Sequence, residues 1–341
     1  MQDLQALQRA FEVFADDCYK TSPLYEFLSR KVAKDDELLT LCQYKRPGQP
    51  PPNILFGAVH HLLLKGVDHP LRSFYPSVVK NSLPLTNSFA YFKDFCHMYK
   101  DNIVQLLQTK LVQTNEINRC AYLYPLFCHI YELVNKPLAL IEIGTSAGLQ
   151  LIWDEYSYSY SESGELFGRI NSPVQLRSSI RDDKFPDLSW TIPPISERIG
   201  VDLHVNDVTK EEDYLWLLSL IWPEHHERRK LFKKAATLKS KHDIQLIEGD
   251  GIDLLEDLIL LTSVSSIICL FHTHVANQFS KEQKSALLDK VAKIGQNRDI
   301  IHIYNNMYDM DLHIDWYING VEERFVVGAV DGHGKWFMWN L

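Results

Sequence analysis

The sequence predicts an α/β protein in which an α-helical N-terminal lobe precedes a mostly parallel sheet finished by antiparallel strands. Three observations carry that expectation. No strand pattern appears before Leu138, while apolar residues recur there at three- and four-residue steps. Beyond Leu138, short apolar runs alternate with helical stretches, as in strands joined by crossover helices. The tail then alternates residue by residue around Asn319-Gly320, a hairpin signal.

Leu4, Leu7, Phe11 and Phe14, then Leu24, Phe27 and Leu28, give helical faces to residues 1 to about 45. Pro47 to Pro52 breaks the pattern as a loop, and Ile54 to Lys65 resumes it. His60 and His61 lie in that helix. Adjacent helical residues diverge, so the pair cannot face one metal and reads as surface or core histidines. Residues 89–112 give one or two further helices. The lobe is placed at 1–120, and the sheet domain at 121–341 with an insertion at about 156–198.

The central phrase runs from Leu138 through Glu142 and Gly144-Thr145-Ser146-Ala147-Gly148. Six residues read as a strand buried on both faces, and Leu149 to Trp153 resume like the first turns of a helix. Gly144 permits positive φ, and Gly148, without Cβ, lets a ligand or the next helix approach the backbone. No Lys follows Gly148, which excludes the phosphate-gripping loop, and Ser146 stands where a dinucleotide fold needs its second glycine. Glu142 would repel a pyrophosphate and favour a cation. An acidic residue two before Gly-x-x-x-Gly at a strand end resembles the first motif of the Rossmann-like methyltransferases, whose cofactor S-adenosylmethionine carries a sulfonium and an ammonium.

Ahead of this strand, Gln113-Thr114-Asn115-Glu116 with Arg119 is dense in hydrogen-bonding groups. Thr114 or Asn115 could cap a helix; equally, the cluster could be lowered over a cofactor pocket. After it, Tyr156, Tyr158 and Tyr160 alternate as on one face of a strand, and Val174 to Arg177 reads as another. Gly200 to Val205 resumes a core strand, where Asp202 or Asp207 could bind ribose hydroxyls. An acidic residue is expected ~20 residues past the glycines. Asp202 lies 54 past Gly148 (202 − 148), so the insertion must absorb the difference.

Leu217 to Lys241 reads as helical and carries the basic run Arg228, Arg229, Lys230, Lys233, Lys234, Lys239 and Lys241. Without an interleaved aromatic platform this reads as a solvated helix face sooner than a nucleic-acid patch. A strand from Ile244 enters Gly249-Asp250-Gly251, placing Asp250 to accept from an adenine amino group or a ribose. The next strand, Ser266 to Phe271, ends in His272-Thr273-His274. If the strand persisted, both histidines would share a face, but two ligands alone make a poor metal site. A base or substrate hydrogen-bonder is the better functional reading, beside a strand end making only local hydrogen bonds. Asp299 to Tyr304 is a further strand, and Ile314 to Trp339 an antiparallel meander.

Net charge is −9, from 35 Lys and Arg against 44 Asp and Glu, which disfavours bulk attraction to nucleic acid or anionic membrane. The 6 cysteines include no C-x-x-C pair and read as buried thiols of a reduced compartment. No signal-like or membrane-spanning run is visible, which makes the cytoplasm the default.

Beyond these motifs, the ordered set Gln113 to Arg119, Glu142 to Leu149, Trp153-Asp154, Tyr156/Tyr158/Tyr160, Ser172-Pro173-Val174, Val201-Asp202-Leu203, Asp207-Val208-Thr209, Trp222-Pro223-Glu224, Gly249-Asp250 and Phe271-His272 resembles a bacterial family catalogued as domain-of-unknown-function family 2332. The resemblance covers most of the chain. It implies an S-adenosylmethionine-dependent methyltransferase by fold, brings no substrate, and implies that the Gln113–Arg119 cluster lines a pocket. Many N-methyltransferases carry an Asp/Asn-Pro-Pro-Tyr/Phe phrase where this chain reads Phe271-His272-Thr273-His274, which disfavours amine methylation of the DNA type.

The expectation is therefore a methyltransferase acting on a small molecule, with S-adenosylmethionine held by Glu142, Gly144, Thr145, Ser146, Ala147, Gly148, Gly249 and Asp250, and by Asp202 at the ribose. His272 and Glu116 are the expected catalytic residues. Gln113, Asn115, Arg119, Trp222, Glu224 and His274 are the expected substrate pocket. No metal, nucleic acid or membrane is expected as a partner. The alternative is a non-catalytic nucleoside-binding protein of the same fold. A nicotinamide dehydrogenase is disfavoured by the missing central glycine and by Glu142.

Overall fold

A computed structural model describes residues 3–181, 184–188 and 191–341. The chain divides into two compact units: Met1–Thr114 with Val208–Phe232, and Asn115–Asp207 with Lys233–Leu341. The sequence placed one boundary at 120. The first unit instead ends at 114 and takes back a later segment.

The first unit is helical: α1 (Leu4–Cys18), α2 (Pro23–Val32), α3 (Asp36–Leu41), α4 (Pro51–Leu64), α5 (Ser88–Met98) and α6 (Lys100–Thr109). Asp3 and Asp35 cap α1 and α3 by accepting from Gln5 N and Leu38 N. Phe11, Phe14, Tyr25, Phe56 and Phe92 interlock as its aromatic core, with Tyr25 stacked on Phe56 at 4.6 Å. The returning segment fits because α4 carries Gly57. A Cβ there would lie 2.9 Å from Leu220 and 3.5 Å from Trp216.

Between Leu217 and Lys241 the expected single helix is two. After α7 (Cys120–Val134), α8 (Glu211–Ser219) and α9 (His226–Lys239) are separated at Trp222-Pro223, as proline requires. The basic run is not uniformly solvated: Arg229 is buried and donates to Leu218 O at 3.0 Å.

The second unit is built on a seven-stranded sheet: β1 (Leu138–Ile143), β2 (Ile195–Asp202), β3 (Gln245–Glu248), β4 (Ile267–His272), β5 (Ile300–Tyr304), β6 (Leu312–Ile318) and β7 (Val321–Gly328). Their order is β7-β6-β5-β4-β1-β2-β3. The first five in sequence are parallel, and β6 and β7 are antiparallel additions. β1, β4 and β5 are buried along their whole length, which is why they read as unbroken apolar runs. One sheet face, including Ile141, Ile199, Leu270 and Ile300, packs against α10 (Leu255–Leu260) and α11 (Lys281–Gly295). On the other, Phe127 of α7 meets Phe271 edge-on at 5.4 Å and stacks on Trp153 at 4.8 Å.

Asn319 and Gly320 both have positive φ (53° and 75°), the geometry a two-residue hairpin needs. The meander stops at β7, however. Trp336–Phe337 leaves the sheet and pairs with Ser179–Ile180. The insertion is also shorter than expected, because β2 already begins at Ile195. All 6 cysteines are free and buried. Among the described residues, no helix is long and apolar enough to cross a membrane.

Candidate functional site

Strand order reverses between β1 and β4, so the carboxyl edge there is where an open α/β sheet forms a crevice. Three non-glycine residues with left-handed backbone follow strands at this edge: Ser146 (φ 51°), His274 (φ 56°) and Asn306 (φ 63°). Such conformations cost ~1–3 kcal/mol each and persist where their surroundings over-determine them.

Ser146 is held from every side. Its N–H donates to Asp202 Oδ2 at 2.8 Å, and its carbonyl accepts from Asn206 N at 2.9 Å. Its hydroxyl accepts from Asn115 Nδ2 at 2.9 Å and Asn206 Nδ2 at 3.2 Å. Ala147 N donates to Asn115 Oδ1 at 3.4 Å. Asn115 is therefore a clamp on the glycine turn and not a helix cap; α7 has no side-chain cap.

Gly144 and Gly148 do take positive φ (76° and 72°). Their bare faces are filled by the protein itself. A Cβ on Gly144 would run into Val275, and one on Gly148 would lie 3.2 Å from Leu246. The open backbone expected for a ligand is in this respect a packing contact. The expected helix after Gly148 is a 3-10 turn, Gln150–Glu155, kinked at Ile152.

The Glu142 side chain also departs from expectation. It is 3 % exposed and accepts from Thr145 Oγ1 at 2.6 Å. Burial, with a smaller push from Asp202, raises its carboxyl to about 8, against the pull of Thr145 and Arg119. It is mostly neutral at pH 7, not the standing anion the sequence suggested.

Asp202 and Asp250 end adjacent strands. Gly249 N donates to Asp202 O at 2.8 Å, and Asp202 Oδ1 accepts from His204 N at 3.1 Å. Among the described residues Asp250 uses only Oδ1, accepting from Ile252 N at 2.8 Å and Asp253 N at 3.3 Å.

At the end of β4, His272 is fully buried, with Nε2 3.1 Å from His302 Nε2, and burial pushes it down to about 3. Its side chain has no exposed surface here, unlike the accessible strand-end position expected of a base. β4 ends at His272 and His274 turns left-handed, so the two do not share a face. His274 is half-buried, and its tautomer follows from its neighbours. Its backbone N–H donates to Asn305 Oδ1 at 2.7 Å, which fixes the Asn305 amide. Asn306 Nδ2 donates to that same oxygen at 2.9 Å and to His274 Nδ1 at 3.3 Å. With Nδ1 accepting, Nε2 carries the hydrogen. Among the described residues neither His274 Nε2 nor Asn305 Nδ2 has a partner. Burial, then Arg119 and His333, hold His274 down to about 4, so it is neutral.

The turn at 331–334 closes this edge. Glu116, 4 % exposed, meets His333 Nδ1 at 2.8 Å. Arg119 donates from Nε to Gly332 O at 2.9 Å and from Nη1 to Thr273 O at 3.1 Å. Gln150 Nε2 donates to Thr273 Oγ1 at 3.2 Å. Glu116 and Arg119 are thus committed to anchoring the turn.

Gln113, Trp222 and Glu224 belong to the first unit. Glu224 accepts from Ser22 Oγ at 2.5 Å and Leu24 N at 2.8 Å, capping α2, and Trp222 packs on Phe14 at 5.3 Å. These contacts account for both residues structurally. The sequence reading missed Asn206, Gln150, Thr273 and the Asn305-Asn306 pair. Two asparagines directly after a buried strand were the available signal, since Asn tolerates left-handed backbone.

No curated protein and no solved structure matches the chain. The family described as an uncharacterized protein conserved in bacteria (DUF2332) matches residues 8–339, and the chain belongs to that family.

Proposed function

We propose that the protein is a Rossmann-like methyltransferase that binds S-adenosylmethionine along the carboxyl ends of β1, β2 and β3 and methylates a small molecule. The observation supporting this most strongly is the Asp202 carboxylate against the glycine turn at the end of β2, despite the 54 residues between Asp202 and Gly148. That strand end is where a nucleotide fold carries its ribose acceptor. The acceptors at these strand ends suit the amino and hydroxyl hydrogens of an adenosine. Asp250 keeps Oδ2 for an amino or hydroxyl hydrogen, and Asp202 and Gly249 bring the two strand ends together. Once bound, the cofactor supplies an electrophilic methyl group, leaving the chain to position the acceptor and exclude water. The 331–334 turn would exclude water, and the buried donors His274 Nε2–H and Asn305 Nδ2 would lie beneath the acceptor. Glu142 would ionise as a cation entered, so binding would release a proton near neutral pH.

A binding protein that holds the nucleoside without turnover is the second reading, favoured by the side chains filling the faces of Gly144 and Gly148. S-adenosylmethionine and S-adenosylhomocysteine at 100 times Kd should each stabilise the fold by about 2.7 kcal/mol, a rise of several degrees in Tm. NAD should not. Asp250→Ala should weaken both ligands by about tenfold or more, the loss of one charge-assisted hydrogen bond. Formation of S-adenosylhomocysteine with a metabolite pool distinguishes the enzyme from the binder. Unmoved melting with both ligands rejects both readings.

A further inference from the structure

The first unit contains a cavity of about 490 Å³ between α4, α6 and the start of α8. Its walls carry more unused donors than acceptors. The Lys110 side chain is only 16 % exposed, and its ammonium lies 3.6 Å from Glu212 Oε1 and 3.9 Å from Asp213 Oδ1, too far for hydrogen bonds. Its underside faces the Trp216 ring at 6.0 Å. The His61 side chain is 1 % exposed, and its ring meets the Leu215 backbone and Glu212 without a well-aligned hydrogen bond. Its Nε2 is 3.1 Å from Glu212 Oε1 but misaligned. Glu212 Oε2 accepts from Lys65 at 2.8 Å, while Oε1 faces His61 and Lys110.

Among the described residues Lys110 is held only by these two long ion pairs, so its three N–H groups can still take a closer acceptor. We infer that this cavity binds a small organic molecule through an anionic oxygen group, a carboxylate or a phosphate, received by Lys110 and His61 beside Lys65. Leu62 and Leu106 give the cavity apolar wall for the rest of the molecule. The volume lies within the usual range of small-molecule sites. The site lies wholly in the helical unit and does not depend on the reading of the sheet edge.

The test uses the full chain at constant ionic strength, titrating inorganic phosphate or acetate against chloride and following Tm and the chemical shift of 13C-methylated lysines. At least one of the two should raise Tm saturably and shift Lys110. Lys110→Met should weaken that response by about tenfold, the value of a single charge-assisted contact, whereas Lys34→Met, an exposed lysine of the same unit, should leave it unchanged. Lys110→Arg, which keeps the charge, should retain binding and guards against a folding defect in Lys110→Met. A response to phosphate alone identifies a phosphorylated ligand, and a response to acetate a carboxylate. No response above chloride, or equal responses in wild type and a folded Lys110→Met, overturns the inference.

Discussion

Asp154→Ala should destabilise the second unit by about 3–5 kcal/mol. Asp154 and Arg198 form a two-pronged pair, Nη1 to Oδ1 at 2.7 Å and Nη2 to Oδ2 at 2.8 Å, with side chains 8 % and 14 % exposed. Arg198 also donates to the Leu151 carbonyl, so one guanidinium ties β2 to the 3-10 turn that follows the glycines. Removing the carboxylate strands a largely buried cation, which is why the loss exceeds that of a surface pair. Urea denaturation should show a lower midpoint with an unchanged slope. Adding Arg198→Met should restore much of the loss, because replacing both partners by apolar groups leaves no uncompensated charge. A loss under ~1 kcal/mol in the single variant would mean that the pair behaves as if exposed to solvent.

The second large effect is a pH dependence. In the unfolded chain Glu142 ionises near its ordinary 4.5, whereas the folded chain keeps the proton until about 8. Between those values the native state binds more protons, so a rise in pH favours unfolding. Glu142 should therefore erode stability progressively from pH 4.5 to 8, by roughly 3–5 kcal/mol in all. Glu142→Gln keeps an acceptor for Thr145 and cannot ionise. Its stability relative to wild type should climb through that window and level off above it. A difference that stays flat from pH 5 to 8 would show that Glu142 ionises normally and would remove the neutral carboxyl from the site.

What the sequence revealed follows from the range of the forces involved. β1, β4 and β5 were legible because strands buried on both faces leave continuous apolar runs. The hairpin was legible because Asn319-Gly320 satisfies a local backbone demand. The position of Asp202 at the end of β2 was legible despite its distance from the turn, because a strand end is a local signal even when its neighbour is not. That His272 is buried was not legible because a strand end does not say which side chains there are covered; the shared face failed because the left-handed His274 is fixed by Asn305 and Asn306, 31 and 32 residues away. Asn115 looked like a cap because caps are local, and its partner Ser146 lies 31 residues on. Trp222 and Glu224 were assigned to the pocket although they complete the helical unit, and only tertiary contacts separate those possibilities.

The helical unit is interrupted in sequence, since Val208–Phe232 joins Met1–Thr114 only after an intervening stretch of the second unit. On the ribosome it cannot close until the intervening stretch has emerged, so the usual order of N-terminal folding first is delayed. Until then α2 lacks the Glu224 that caps it, and Gly57 faces water in place of Leu220 and Trp216. A fragment cut at Thr114 should be prone to aggregation, and circular permutation that makes the two pieces contiguous should speed its maturation.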